Sequence, residues 1–329
     1  MMTTAGYTAE PAMQIAQHYQ ERNRGIPVNP DVAFTNHKGE RTSKCEQRQK
    51  KLLSTIGFLR PTLDDDETVV LVTTACSPFS LLEQLLGGWI VVLLKRSLLV
   101  FTNKRFFHVP TTSAFKYRGS LAAVDYTWCQ SIQVRGGALH VGYHGGKRER
   151  FAYLDRREMK KLRCMFKDII LPLPNGDPKE RTFLCPNCGS HLMPEVQPCA
   201  HCGQTFRDKK TARWLSLLLP GGGYFYCGHP LLGVMDALVE TYLSVYVVIL
   251  ALGVLLGAFE ALAPLGLFAG ILALEKLVTV YESNHFLNEF LPKRSVTPYA
   301  EVPPELEVSP PDQQKSLSPE EVLRPRLKL

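Results

Sequence analysis

The chain has 329 residues, which is enough for about two domains and flanking tails. Its formal net charge of +7 is modest, so composition alone does not favour a nucleic acid as partner. The opening MMTTAGYTAEPAMQ has no basic start followed by an apolar run, which argues against a secretory signal and favours reduced cysteines.

Residues 1–60 are mixed and polar and predict a mostly disordered N-terminal region, in which EQRQKKLLSTIGFL could form a short basic helix. The acidic run DDDE (Asp64–Glu67) is interpreted as a solvated boundary. A folded domain is predicted over residues 61–171. It begins with the strand TVVLVTTA, followed by a hairpin with its turn at Asn103-Lys104 and by three short strands separated by Gly-Gly turns.

The domain is predicted to close with the helix DRREMKKLRCMFKDII. Asp155 and Glu158 have the spacing of a capping box. An apolar stripe is formed by Met159, Leu162, Phe166 and Ile169, and the basic residues predicted to face water are Lys160, Lys161, Arg163 and Lys167. Strands followed by one amphipathic helix predict a small β-sandwich or barrel covered by that helix.

The strand and turn VFTNKRFF, the following β-meander and the closing helix resemble the bacterial pleckstrin-homology-like domains, over residues 66–171. The resemblance implies binding of lipid head groups or peptides. The candidate lipid contacts are Lys95, Arg96, Lys104 and Arg105; simple solvation of these charges is the alternative. The insert LLEQLLGGWIVVLLKR is short for a membrane span and therefore predicts a buried or surface-lying helix, with a span as the alternative.

After a Pro-rich linker (residues 172–182), two Cys-x-x-Cys pairs lie in residues 183–206. Four thiolates suffice to close a tetrahedral site around a structural Zn²⁺, with the predicted ligands Cys185, Cys188, Cys199 and Cys202. Gly189 and Gly203 allow the left-handed backbone that turns amides toward the thiolates. Two disulfides and bound iron are the alternatives. The segment resembles the short zinc ribbons, with their CPxCG and CxxCG turns.

Residues 214–281 are almost wholly apolar, and a helical transmembrane hairpin is predicted over residues 213–291, with a buried hairpin of a soluble protein as the alternative. The opening LSLLLPGGGYFYCGHPLLG resembles a family of small bacterial membrane proteins with the pattern LLPGxGxxYxGxPxxG. The matching positions are Leu219, Pro220, Gly221, Gly223, Tyr226, Gly228, Pro230 and Gly233. Two full spans are predicted, with Trp214–Tyr226 re-entrant or at the interface.

Basic clusters flank the apolar region on both sides, so both soluble ends are predicted to be cytoplasmic at a bacterial inner membrane. Asp236 and Glu240 share one helix face near the start of the first span. They lie either at head-group level or deeper, where Lys276 or His285 would be the partner. The tail, residues 292–329, is rich in Pro and charge and is predicted to be disordered.

The fold class is therefore multidomain α+β, and the chain lacks GxSxG, Walker, Rossmann and HExxH motifs. We expect a non-enzymatic, membrane-anchored binding or scaffold protein whose partners are membrane lipids and an unidentified protein. One alternative is a transporter or channel accessory subunit. The other is a membrane-tethered regulator that binds nucleic acid through the cysteine segment and the basic helix.

Overall fold

The computed structural model describes residues 25–79, 81–167, 171–172, 180–193 and 198–293. The described residues form two compact units, the first within residues 25–193 and the second within residues 198–293. The predicted disorder of residues 1–24, most of the predicted linker, and the predicted tail beyond residue 293 lie outside the described residues.

The first unit is a mixed α+β structure, as the sequence predicts. Its helices are α1 (Pro30–Ala33), α2 (Ser43–Leu53), α3 (Leu81–Leu94) and α4 (Arg156–Met165). Its strands are β1 (Val69–Cys76), β2 (Arg96–Thr102), β3 (Arg105–Pro110), β4 (Leu121–Asp125), β5 (Cys129–Arg135), β6 (Ala138–Tyr143), β7 (Arg148–Phe151), β8 (Thr182–Leu184) and β9 (His191–Leu192).

These strands form two antiparallel sheets, one in the order β1-β2-β3-β4-β8-β9 and one in the order β5-β6-β7. The predicted first strand, the hairpin at Asn103-Lys104 and the three strands separated by Gly-Gly turns are all confirmed. Strand β4 was not predicted, because its sequence LAAVD contains few of the branched and aromatic residues that favour strands.

Strand β2 is buried on both faces. Leu99 and Phe101 belong to one hydrophobic cluster, which the second sheet and α4 complete. Leu98 and Val100 point the other way into a second cluster. That second cluster is filled by apolar side chains from the N-terminal region, namely Ile26, Ala33, Phe34, Leu53, Ile56, Leu59 and Leu63.

The structure therefore differs from the expected disorder over residues 25–60. This segment covers the second face of the large sheet, and its burial of apolar surface offsets the entropy of ordering it. Gln49 of α2 also fixes it in place. The Gln49 side chain donates to Val72 O (2.9 Å) and accepts from Val72 N (3.1 Å), extending the hydrogen bonding of β1.

Lys161 of α4 does not face water, contrary to the sequence prediction. Its side chain is buried, and its ammonium donates to the carbonyls of Val32, Ala33 (3.3 Å) and Thr35 (2.7 Å) around the end of α1. Carbonyls at a helix end lack intrahelical partners. The long aliphatic stem of the lysine crosses the apolar layer while its charged tip meets these carbonyls.

At the start of α4, one of the two side chains of the predicted capping box acts as a cap. The Asp155 side chain accepts from Arg157 N at 2.8 Å, as an N-cap residue should. The Glu158 side chain is instead bound by Gln49 at 3.1 Å, so it links α4 to α2. Ile169, the last predicted member of the apolar stripe, lies outside the described residues.

The apolar insert forms α3, as predicted, but the helix is interrupted at Gly88, which has φ 53° and ψ −132°. Its fourteen residues are too few for a membrane span. Trp89, just after the kink, is 72% exposed.

The second unit is helical in its described part. Its helices are α5 (Lys209–Leu218), α6 (Gly222–Tyr226), α7 (Pro230–Leu255) and α8 (Leu262–Phe286). Helices α7 and α8 are long and apolar enough to cross a membrane, with mean hydropathy of 2.1 and 1.8 in their best windows. Only 11% and 0% of the residues in these windows are buried.

A break separates α5 from α6 where the sequence predicts an interruption. Gly221 has φ 67°, and a Cβ at this position would lie 2.0 Å from Gly233 O. Any side chain at position 221 would clash with the backbone of α7, which accounts for the glycine at this position. After α8, Pro292 bridges to Phe206, and Lys293 N donates to Thr205 O (3.0 Å), so the predicted tail is ordered at its first two residues.

Candidate functional site

The two Cys-x-x-Cys turns have the same local geometry. In the first, Gly189 N donates to Cys185 O (2.8 Å) and Cys185 N donates to Ser190 O (2.8 Å). In the second, Gly203 N donates to Cys199 O (2.9 Å) and Cys199 N donates to Gln204 O (2.9 Å). Both glycines have φ 71°, as the sequence predicts. Each turn is therefore a preformed loop that presents two thiols on one side.

All four thiols lie together. The Sγ atoms of Cys185, Cys188, Cys199 and Cys202 are within 4.8 Å of one another, and none of the four is in a disulfide. Tetrahedral Zn–S bonds of about 2.3 Å place sulfurs about 3.8 Å apart. The cluster is compatible with a metal site, since four sulfur donors converge on one point and two of them, on Cys185 and Cys199, are buried.

The first cysteine turn belongs to the large sheet of the first unit. Strand β8 pairs with β4 through Leu121↔Leu184 and Ala123↔Thr182, and β9 pairs with β8. The turn that carries Cys185 and Cys188 thus connects the last two strands of the sheet. The sequence predicts a separate module from residue 183, whereas in the structure residues 182–192 continue a sheet that begins with β1.

Two of the four candidate lipid contacts have partners near α3. Lys95 is buried, and its ammonium lies 3.0 Å from Glu83 Oε1. Arg96 donates to Ser113 O at 2.6 Å, with its guanidinium over the Phe115 ring. Lys95 is therefore not available to a lipid head group.

The other two contacts bind the acidic run. Lys104 pairs with Asp64 (2.7 Å) and Asp66, and Arg105 pairs with Glu67 (2.8 Å). Glu67 is fully buried, so the run is not simply a solvated boundary. The turn and the acidic run instead neutralise each other, which leaves little free positive charge for an anionic surface.

A buried Ser77–His108 pair was not identified from the sequence. Ser77 Oγ lies 2.8 Å from His108 Nε2, and Arg181 Nη1 lies 3.0 Å from His108 Nδ1. Arginine only donates, so Nδ1 accepts and the proton of the neutral ring is on Nε2, from which it is donated to Ser77. A general base needs the opposite tautomer, with Nε2 accepting from the serine. The arrangement therefore suits a structural contact and not an activated nucleophile.

We expect His108 to make the first unit sensitive to acid. Burial, followed by the charges of Arg181 and Lys95, holds the pKa of His108 well below its usual value. The folded state therefore keeps a neutral ring while the unfolded state takes up a proton as the pH falls through about 6.5. Stability should be unaffected above that pH and should fall by at most about 2 kcal/mol by pH 5.

The check is urea unfolding of the full-length protein in detergent at pH 7.5, 6 and 5, beside a His108→Gln variant. The difference in unfolding free energy between the two proteins should shrink toward pH 5. Parallel pH profiles would show that His108 does not titrate in this way.

In the second unit, polar side chains meet between α7 and α8. Glu240 Oε2 lies 2.7 Å from Lys276 Nζ, so the predicted pairing of this acid with Lys276 is present. Lys276 also donates to Ser216 O of α5 at 2.9 Å. Asp236 lies instead beside Thr279, whose hydroxyl is 3.4 Å from both of its carboxylate oxygens.

Glu275 was not identified as a site residue from the sequence. One carboxylate oxygen from each of Asp236, Glu240 and Glu275 lies within 4.8 Å of the other two. The Thr279 hydroxyl is 2.8 Å from Glu275 Oε1. The available signal was the spacing of Glu275 and Thr279, which lie four residues apart on α8 and therefore on one face of the helix.

Comparison with protein-family models, with curated proteins and with solved structures gave no match to this chain.

Proposed function

We propose that the protein is a membrane-anchored binding or scaffold protein with two transmembrane helices. The exposed apolar surface of α7 and α8 carries this proposal. A helix of 26 residues is about 39 Å long, which exceeds the roughly 30 Å hydrocarbon core of a bilayer. A core helix of a soluble protein would be mostly buried, but these windows are 11% and 0% buried.

The flanking charges support a topology in which both soluble ends are cytoplasmic, and the membrane is proposed to be a bacterial inner membrane. The segment RDKKTAR, residues 207–213, precedes the helices, and Lys293-Arg294 follows them. The connection between the spans, Phe259–Ala261, carries Glu260 and no Lys or Arg. Positive residues concentrate on the cytoplasmic side of membrane proteins, so the connection is assigned to the periplasm.

The test is membrane fractionation combined with topology reporters on the full chain. We expect the protein to stay in the pellet after carbonate extraction. A phosphatase inserted after Glu260 should be active, and one fused after Leu329 should be inactive. A matched variant with Lys293 and Arg294 replaced by Gln tests whether these charges set the orientation. Release by carbonate, or an active C-terminal phosphatase, would contradict the two-span topology.

We further propose that the four-cysteine centre holds one structural Zn²⁺ in a ribbon-like arrangement. The support is the chemistry of the donor set, since four thiolates fill a tetrahedral shell and leave no open position for substrate. Iron suits the same donor set, and elemental analysis of the purified protein distinguishes the two metals. The role proposed for the centre is to hold β8, β9 and the second cysteine turn in their folded form.

A pleckstrin-homology-like fold for residues 61–171 is proposed on the order of elements, seven strands followed by α4. The proposed role of this domain is to bind another protein. Anionic lipid is not proposed as its ligand, because all four candidate basic residues have protein partners.

Photo-crosslinking in native membranes, with a photoreactive residue in place of the exposed Trp89, should capture a defined partner that a crosslinker at exposed Lys160 does not capture. Identical products at both positions would remove this assignment.

A further inference from the structure

We propose that Asp236, Glu240 and Glu275 form a binding site for a divalent metal cation between α7 and α8. The site is separate from the cysteine centre, and the inference goes beyond the anchoring role of these helices. Asp236 and Glu240 are one turn apart on α7, and Glu275 and Thr279 are one turn apart on α8. One oxygen from each carboxylate lies within 4.8 Å of the others.

Two buried carboxylate oxygens at this site lack a partner. Glu240 is 0% exposed, and its Oε1 has no hydrogen-bond partner among the described residues. Glu275 is half-buried, and its buried Oε2 atom likewise has no hydrogen-bond partner among the described residues. An unsatisfied buried acceptor costs about 1–3 kcal/mol, and more when it is charged. Two such atoms on neighbouring carboxylates indicate a positively charged ligand that both would contact.

The charges of the site are not balanced by the protein groups around it. Three carboxylates carry three negative charges when ionised, and Lys276 supplies one positive charge through Glu240 Oε2. The Thr279 hydroxyl has one proton, which it can donate to Glu275 or to Asp236 but not to both. The remaining charge of −2 in an apolar setting equals the charge that a divalent cation neutralises.

The donor atoms indicate the class of cation. Carboxylate and hydroxyl oxygens are hard ligands that suit Mg²⁺, Mn²⁺ and Ca²⁺. Metal–oxygen bonds of 2.0–2.6 Å imply oxygen separations of about 3 to 5 Å around one ion, which agrees with the spacing of the three carboxylates. Protons on two of the carboxylates would also balance the charge, and the experiment separates these two occupants.

The experiment is a titration of the full-length protein in detergent with Mn²⁺, in which the signal of free Mn²⁺ is followed by electron paramagnetic resonance. We expect one Mn²⁺ per chain to bind at this site. Asp236→Asn and Glu275→Gln should weaken binding at least tenfold. Asp236→Asn leaves the buried Glu240–Lys276 pair intact, so weaker Mn²⁺ binding by this variant would not result from unfolding.

Glu260→Gln is the matched control, because it removes one carboxylate from the exposed connection between the same two helices. Its Mn²⁺ affinity should equal that of the unaltered protein, and Mn²⁺ should raise the melting temperature of both. The cysteine centre is identical in all these proteins, so it cannot cause a difference among them. Absence of Mn²⁺ binding, or equal affinity in all variants, would overturn the proposal and leave protons as the occupant.

Discussion

Replacement of Cys185 and Cys199 by serine is expected to reduce bound zinc from one ion per chain to near zero. The double variant removes one ligand from each turn, and a hydroxyl does not replace a thiolate as a zinc ligand. Structural zinc sites contribute apparent binding free energies of about 10–16 kcal/mol, and this contribution is lost with the metal. The turns and the short strands β8 and β9 should therefore lose their protection from hydrogen exchange.

Metal content is measured by elemental mass spectrometry, and backbone protection by exchange at Phe183 and Leu192. Cys164→Ser is the matched control, because Cys164 is an exposed free thiol on α4. It should leave zinc content and exchange unchanged. Full zinc occupancy in the Cys185→Ser, Cys199→Ser protein would exclude this centre as the zinc site.

Lys161→Met is expected to destabilise the first unit by about 3 kcal/mol. Methionine preserves most of the aliphatic volume but cannot donate, so the carbonyls of Val32, Ala33 and Thr35 lose a buried charged donor. Burial lowers the pKa of Lys161. The substitution also removes the desolvation penalty of this buried charge, which offsets part of the destabilisation.

The measurement is urea unfolding of the full-length protein in detergent, together with the reactivity of the Cys45 thiol. Cys45 Sγ lies 3.4 Å from Thr35 O, so it reports on the same region. Burial raises the pKa of the Cys45 thiol, whereas the charge of Lys161 lowers it, so loss of that charge alone would make the thiol less reactive and a rise in reactivity reports opening of this region. Reactivity should rise in Lys161→Met. In Lys160→Met, which alters the exposed neighbour, stability should change by less than about 0.5 kcal/mol. Equal effects of the two substitutions would show that the buried contacts do not stabilise the fold.

Local patterns predicted the parts of the fold that depend on local sequence. The turn at Asn103-Lys104, the Gly-Gly turns and the left-handed Gly189 follow from the backbone preferences of a few adjacent residues. The pairing of the cysteine thiols within each Cys-x-x-Cys turn was predictable for the same reason, since each turn brings its two thiols together. The break before Gly221 follows from a proline and a glycine run in the sequence.

The parts that were missed depend on contacts between distant segments. The runs LLVF and RFFHV do not alternate between apolar and polar residues, which indicates strands covered on both faces. The sequence does not state which segment covers the second face, and residues 25–60 are too polar on average to suggest it. Lys161 resembles its exposed neighbours in composition and spacing, and only the position of α1 makes it a buried donor.

The carboxylate cluster was also predictable only in part. The proximity of Asp236 and Glu240 follows from their i, i+4 spacing within one helix. The proximity of Glu275 depends on the register of α8 against α7, which the sequence does not reveal. The prediction of Lys276 as the partner of Glu240 succeeded because a short connection forces the two helices to run antiparallel.

The large sheet ends in a strand of only two residues, β9, which the turn carrying Cys185 and Cys188 connects to β8. A longer free edge would offer unpaired backbone groups to another chain, and native sheets avoid this by shortening or covering their edges. Loss of β8 and β9 would uncover β4, whose sequence LAAVD carries one charge, at its end. We therefore expect that removal of the proposed metal by a chelator would cause the protein to self-associate through the exposed edge of β4.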